Sequence, residues 1–279
     1  MEQNFGIIPR DPLEVAVSVS ELETLVARAY TQGACSAKRT EDRLGIIGGW
    51  AVHYYVQDYF EATFGKPYLG SLDIDLFAHC TQRRTNRLAE VIKVQGFAPV
   101  HSFRWLKVFA RGPGRDEYRS VTAEESTRIP QFDLINLYLD WYCDQNCGTK
   151  TSTCTRGYRS WAIPVLANAF RGPSKLHRVG VHDLLLPSLD DLLFLKARAY
   201  LSGGRNPDKL RKDLCDIGAL LLYDGREGSA ESMHRLNPET MKALVAALRR
   251  DENLTMISIN LFNNPDTTYL ARRMDALLP

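Results

Sequence analysis

Asp73 and Asp75 stand two residues apart in the segment 72–78, LDIDLFA. If this segment is a strand, alternation sends both carboxylates to one side and Leu72, Ile74 and Leu76 to the other. Two carboxylates held side by side repel unless a cation lies between them. Mg2+ favours such oxygen ligands and keeps positions open for substrate phosphates, so the chemistry on offer is metal-assisted attack on a phosphorus atom. Taken alone, an Asp-x-Asp strand reads more readily as a solvated outer face. Upstream, Ile46-Ile47 runs into Gly48-Gly49 and then into a helical stretch, 50–61. Two residues without side chains at a helix N-terminus let backbone N–H groups meet phosphate oxygens, with help from the helix dipole. A tight strand-to-helix turn is the plain alternative. Joined to Gly70-Ser71 just before the acids, the combination is far more specific than either half.

A third acid has two candidates, Asp133 and Asp140, on a predicted strand over 131–143, QFDLINLYLDWYC. They are seven residues apart and therefore face opposite sides. Asp133 shares its face with Ile135, Leu137, Leu139 and Trp141, which reads as the core side. Asp140 shares the more polar face of Tyr138 and Tyr142. Because Asp73 and Asp75 also lie opposite core residues, Asp140 is the expected partner; a bulge in the strand would select Asp133 instead. Farther on, Lys196 falls on the apolar stripe of a predicted helix that starts at Ser188. Asp213 falls on the stripe of the next helix, which starts at Asn206-Pro207, with Asp216 nearer its edge. Charges on apolar stripes are costly unless paired, so Lys196 and Asp213 point to one shared polar site. A purely structural buried pair is the alternative.

The elements that must carry these residues follow from periodicity. Helices are expected over 12–31, 50–61 and 82–95. Strands are expected over 44–47, 72–78, 100–111, 118–122 and 131–143. A polar loop covers 144–160, and from about 164 the pattern turns to helices joined by Gly and Pro breaks. The expected fold class is α/β (α+β), a small mixed sheet with helices, in two parts: an α/β domain over 1–165 and a helical C-terminal region over 166–279 that completes the active site.

Composition sets outer bounds. The chain has 279 residues with a formal net charge of +2, so no global field points to a polyanion partner. No run of about 18 apolar residues predicts a membrane span, and residues 1–11 lack the apolar centre of a signal peptide. A cytoplasmic location is therefore expected, with its six cysteines reduced. Cys143, Cys147 and Cys154 cluster in the polar loop without CxxC spacing or a nearby His, so a ligand role is not expected of them.

Two patches resemble known proteins. GGWAVHYY followed by LGSLDIDLF resembles the signature of the polymerase-β-like, or minimal, nucleotidyltransferases. The spacing is longer than that superfamily usually has: 23 residues, 50–72, separate Gly49 from Asp73. The resemblance implies that Gly48, Gly49 and Ser71 hold the triphosphate of an NTP. It also implies that Asp73 and Asp75 bind two Mg2+ ions, with Asp140 as a further metal ligand. LLLPSLDDLLFLKARAY, followed by RNPDKLRKDLCDI, resembles the C-terminal pattern of the AbiEii-like nucleotidyltransferases, a group that includes toxins of toxin–antitoxin systems. There Lys196 would neutralise phosphate charge, and Asp213, with Asp216 as a second acid, would complete the site. The activity so implied is transfer of a nucleoside monophosphate from an NTP to an acceptor hydroxyl. tRNA or another RNA would be the acceptor and an antitoxin protein a partner. Arg205, Lys209, Arg211 and Lys212 would suit RNA, or form a solvated helix start. The Gly-Gly-Trp segment is also similar to aminoglycoside adenylyltransferases, which implies a small-molecule acceptor. A non-catalytic nucleotide-binding or partner-binding protein is the remaining alternative, and the intact acids with Lys196 count against it.

Overall fold

Among the described residues, alternation and burial build a mixed sheet of nine strands. It is seen in a computed structural model that describes residues 11–101, 103–114, 117–145, 160–172, 174–202, 204, 206–224, 238–264 and 266–277. Two compact units divide the chain. One draws on Arg10–Trp50 and Gly70–Ser188, the other on Ala51–Leu69 and Leu189–Pro279.

The first unit holds the sheet. Its helix α1 (Pro12–Thr31) starts where the Asp11 carboxylate accepts the Leu13 N–H at 3.0 Å, with Pro12 already in helical φ. Four consecutive buried residues form β1 (Leu44–Ile47), the apolar run of a strand covered on both faces. Helix α2 (Gly48–Phe64) follows without a gap. Then come β2 (Ile74–Ala78), α3 (Gln82–Val94), β3 (Ala98–Pro99), β4 (Arg104–Arg111) and β5 (Tyr118–Val121). A short α4 (Ala123–Ser126) leads to β6 (Leu134–Cys143), β7 (Trp161–Ala162), α5 (Ala167–Arg171), β8 (Lys175–Val179) and β9 (His182–Leu186). The strand order is β3-β4-β6-β2-β1-β9-β8, with β5 beside β4 and β7 beside β6. β1 runs antiparallel to β2, β2 parallel to β6, and β6 antiparallel to β4. The chain is therefore of mixed α/β class.

Three expectations are corrected. β2 begins at Ile74, so Asp73 stands on the bend just before it. β6 begins at Leu134; Asp133 ends a 3-10 turn, Gln131–Asp133, seeded by Pro130, and lies outside the strand. The sheet also does not give way to helices near 165. The β8–β9 hairpin turns at Gly180, whose φ is +59°, and β9 lies parallel to β1. Its Leu184-Leu185-Leu186 run is fully buried, and such a short apolar run does not separate strand from helix by periodicity.

The second unit is helical in its described residues. It contains most of α2, then α6 (Leu189–Leu201), α7 (Pro207–Asp224), α8 (Pro238–Leu248), α9 (Asp251–Phe262) and α10 (Thr268–Leu277). Leu214, Ile217, Leu220 and Leu221 of α7 are buried. Phe64 packs against Phe262 at 4.8 Å between ring centres, and Phe60 against Tyr68 at 5.1 Å. Among the described residues no helix is long and apolar enough to cross a membrane.

Candidate active site

Register across the centre of the sheet gathers the chemistry. Ile47, the residue before the Gly pair, lies opposite Asp75 on β2. Asp75 lies beside Asp140 on β6, and Asp140 lies opposite Arg104 on β4. Register partners share a face of the sheet, so Asp75, Asp140 and Arg104 form one row across three strands. Of the two candidates for the third acid, Asp140 is thus the one placed beside Asp75, while Asp133 lies outside β6, in the turn before its far end.

Arg104 grips Asp140 with both ends of its guanidinium, Nε to Oδ1 at 2.7 Å and Nη2 to Oδ2 at 2.5 Å. Such a fork is the strong form of a charged hydrogen bond. These bonds to Asp140 hold the guanidinium above its ordinary pKa against the burial that would lower it, and the Asp73 charge adds to the effect. Arg104 was not foreseen from the sequence: an Arg early in an amphipathic strand reads as solvated, and only the register sets it opposite Asp140.

The Gly pair is tied to the acids. Gly48 has φ +69°, and a Cβ added there would lie 2.0 Å from Asp75 Oδ2. Glycine is required at this position both for the left-handed backbone and for the close approach of the Asp75 carboxylate. At the third residue of the helix, Trp50 Nε1 donates to Ser18 Oγ at 3.0 Å, and Ser18 Oγ donates to the Leu72 carbonyl at 2.7 Å. This chain fixes the start of α2 and the bend carrying Asp73 to one buried point on α1. Ser71 is buried, and its hydroxyl donates to the Asp73 carbonyl at 3.2 Å. It therefore supports the bend as the structure stands.

In the helical unit, Lys196, Asp213 and Asp216 come together. Lys196 Nζ is 3.1 Å from Asp213 Oδ1 and 2.6 Å from Asp216 Oδ2, and all three side chains are buried. Lys212, one turn before Asp216 on α7, also pairs with it. The Tyr68 hydroxyl donates to Asp216 Oδ1 at 2.6 Å. Burial alone would raise the Asp216 carboxyl, but Lys196 and Lys212 outweigh it and hold the pKa below its usual value. Burial likewise works to lower Lys196, and Asp216 and Asp213 more than offset it. Burial first, and the Asp216 charge next, push the Tyr68 phenol well above its ordinary value, so it remains a donor. The sequence identified Lys196 with Asp213 and set Asp216 second, whereas the structure makes Asp216 the hub. The Lys212 to Asp216 spacing of four was a readable signal. Nothing in the sequence marked Tyr68.

Other expectations resolve unevenly. Lys212 turns inward and is not part of a basic surface, and Arg211 lies 3.5 Å from Asp208. Arg205, Cys147 and Cys154 lie outside the described residues. Cys35 and Cys215 are reduced thiols, and the Cys143 thiol donates to the Gln145 carbonyl at 3.1 Å. Burial pushes the Cys35 and Cys215 thiols up to about 12, which makes them poor nucleophiles. Cys80 is disulfide-bonded, which corrects the expectation that all six cysteines are reduced.

No protein-family model and no curated protein matches the sequence. Among solved structures the chain is similar to an antigenic nucleotidyltransferase-like protein from Paracoccidioides brasiliensis. The identity is 14%, coverage is 90% of this chain and 97% of that one, and the TM-score is 0.49. It is also similar to JHP933 from Helicobacter pylori, with 11% identity, 94% of each chain covered and a TM-score of 0.38. At these scores no function passes from those proteins to this chain.

Proposed function

We propose that this chain is a Mg2+-dependent nucleotidyltransferase that moves a nucleoside monophosphate from an NTP to an acceptor hydroxyl. The observation that carries the reading is the approach of the Asp75 carboxylate to left-handed Gly48, in a row that continues through Asp140 to Arg104. An acid beside a strand-to-helix turn supports the reading, because backbone N–H groups at such a turn suit phosphate oxygens.

The donor set fits a hard divalent cation in part. Asp73 and Asp75 offer carboxylate oxygens, which suit Mg2+. Both oxygens of Asp140 are engaged by Arg104. Among the described residues no group of three His, Cys, Asp or Glu side chains is gathered for a metal. The ligands assigned are therefore Asp73 and Asp75, and Asp140 is assigned to Arg104. When bound, Mg2+ would supply charge neutralisation for the transferring phosphoryl group and the leaving pyrophosphate. The chain's own contributions are positional. Gly48 and Gly49 admit the phosphates to the start of α2. Asp140 fixes the planar Arg104 fork, a permanent positive charge in the same row. In the reaction the acceptor oxygen bonds to the α-phosphorus, the bond to the bridging oxygen breaks, pyrophosphate leaves and the acceptor proton passes to solvent.

The acceptor to test first is RNA, because the resemblance over roughly 184–222 is to a group that includes toxins. The protein is incubated with each α-labelled NTP, Mg2+ and total RNA. Label on RNA, with pyrophosphate released in equal amount, supports the reading. Label on a small hydroxyl compound instead moves the acceptor class and keeps the reaction, and no transfer to either overturns the catalytic reading.

A further inference from the structure

Beyond Asp140, the same face of the sheet continues into aromatic residues. Tyr142 is two residues on along β6, and its hydroxyl reaches to 3.4 Å from Asp140 Oδ2. Trp161 on β7 is the register partner of Tyr142 and so shares its face. Phe103, just before β4, sits against both, edge-on to Trp161 at 5.2 Å and tilted to Tyr142 at 6.2 Å between ring centres. On the other side of Asp140, the Arg104 guanidinium lies over the Tyr138 ring at 5.2 Å. Trp161 is 58% exposed, whereas Trp50, Trp105 and Trp141 are exposed by 3% or less. A half-exposed tryptophan braced edge-on by a phenylalanine keeps a broad face open beside a row of charged groups.

We propose that Trp161, with Phe103 and Tyr142, is a stacking shelf for a nucleobase, and that Asp140 and Arg104 join it to the phosphate chemistry at Asp75. The assignment of the phosphate end rests on the nucleotidyltransferase reading; the shelf itself does not. Aromatic planes stack any base without reading its sequence. A cation and a planar ring within one row fit a ligand that is both anionic and heteroaromatic. A peptide or lipid would use the apolar area alone, whereas a nucleotide also meets the positive charge that Arg104 brings to the row. The base belongs either to the incoming NTP or to the acceptor strand. From the β1 turn to β7 is three strand spacings across the sheet and a short diagonal along it, roughly 16 Å at ordinary strand geometry. A nucleotide can span such a distance from its phosphates to its base.

The single exposed tryptophan provides the readout. Tryptophan emission is followed while the protein is titrated with adenosine, with ATP and Mg2+, with tripolyphosphate and Mg2+, and with a short single-stranded oligoribonucleotide. Adenosine is expected to quench and shift the emission, as is either ATP or the oligonucleotide; whichever of these two does so identifies the source of the base. Tripolyphosphate should bind by calorimetry without changing the emission. Trp161→Phe should abolish the optical change while keeping affinity. Trp161→Ala should weaken the base-bearing ligand on the order of tenfold and leave tripolyphosphate affinity unchanged. Unaltered affinity for adenosine, ATP and the oligonucleotide in a folded Trp161→Ala variant would overturn the shelf. If tripolyphosphate fails to bind the wild type while adenosine still quenches Trp161, the phosphate reading falls and the shelf stands.

Discussion

Lys196→Met keeps the apolar stem of the side chain and removes its charge from between Asp213 and Asp216. The sequence alone leads one to expect an intact fold with lost activity. The structure leads to a different expectation. The Asp213 and Asp216 side chains are 3% and 0% exposed, and Lys196 bridges them at 3.1 and 2.6 Å. Without Lys196, the two buried carboxylates retain Lys212, which pairs with Asp216. Removing one partner from a buried ion pair costs about 3–5 kcal/mol, because the other charge remains desolvated. With a urea slope of roughly 2 kcal/mol/M, the unfolding midpoint should fall by roughly 2 M. The assay is far-UV circular dichroism against urea, repeated across pH. The Asp216 pKa is lowered in the fold. Its contribution is therefore present above the ordinary aspartate range and is lost as pH falls through the depressed value. The Lys196 pKa is raised, so its contribution is present below the ordinary lysine range and is lost only as pH rises through the raised value. The wild type should thus show an acid limb at and below about pH 4, and Lys196→Met should flatten it. A midpoint shift under about 0.5 M, with the acid limb unchanged, would refute the claim that this cluster is a buried, mutually dependent charge network.

Gly48→Ala forces a side chain onto a left-handed backbone and into the Asp75 carboxylate; it should cost about 1–3 kcal/mol and abolish nucleotide binding, checked by thermal melts and calorimetry. Arg104→Met leaves Asp140, only 6% exposed at its side chain, without its cation. Mg2+ should then raise the melting temperature of this variant more than that of the wild type, and equal shifts in a fluorimetric melt would count against the shared row. Asp140→Asn should lower both stability and turnover by breaking the Arg104 fork. Asp133→Asn, at a turn outside β6, should stay within about 0.5 kcal/mol of wild type.

Much of the candidate site was legible because its parts are local. Asp73, Asp75 and the Gly pair declare themselves by spacing, and the polar face of β6 selected Asp140 over Asp133 from alternation alone. The helical stripes likewise exposed Lys196 and Asp213 as charges in apolar positions. What stayed hidden depends on which strands become neighbours. Arg104 is opposite Asp140 only because β4 pairs with β6 in that register, and Trp161 reaches the same face only through a two-residue strand. Nothing in the sequence marked Ser18, which is the buried link between Trp50 and Leu72. Tyr68 reaches Asp216 across 148 positions of sequence. The β8–β9 hairpin was missed because its Leu triplet carries no period.

The account turns on Asp73 and Asp75 as the metal-dependent phosphate site. The direct measurement is calorimetric titration of ATP into the wild type and into Asp73→Asn/Asp75→Asn, each with Mg2+ and with a chelator, with circular dichroism confirming that both proteins are folded. The expected result is binding by the wild type with Mg2+, loss of that binding with the chelator, and no binding by the double variant in either condition. A folded double variant that binds ATP with Mg2+ as tightly as the wild type would contradict the account.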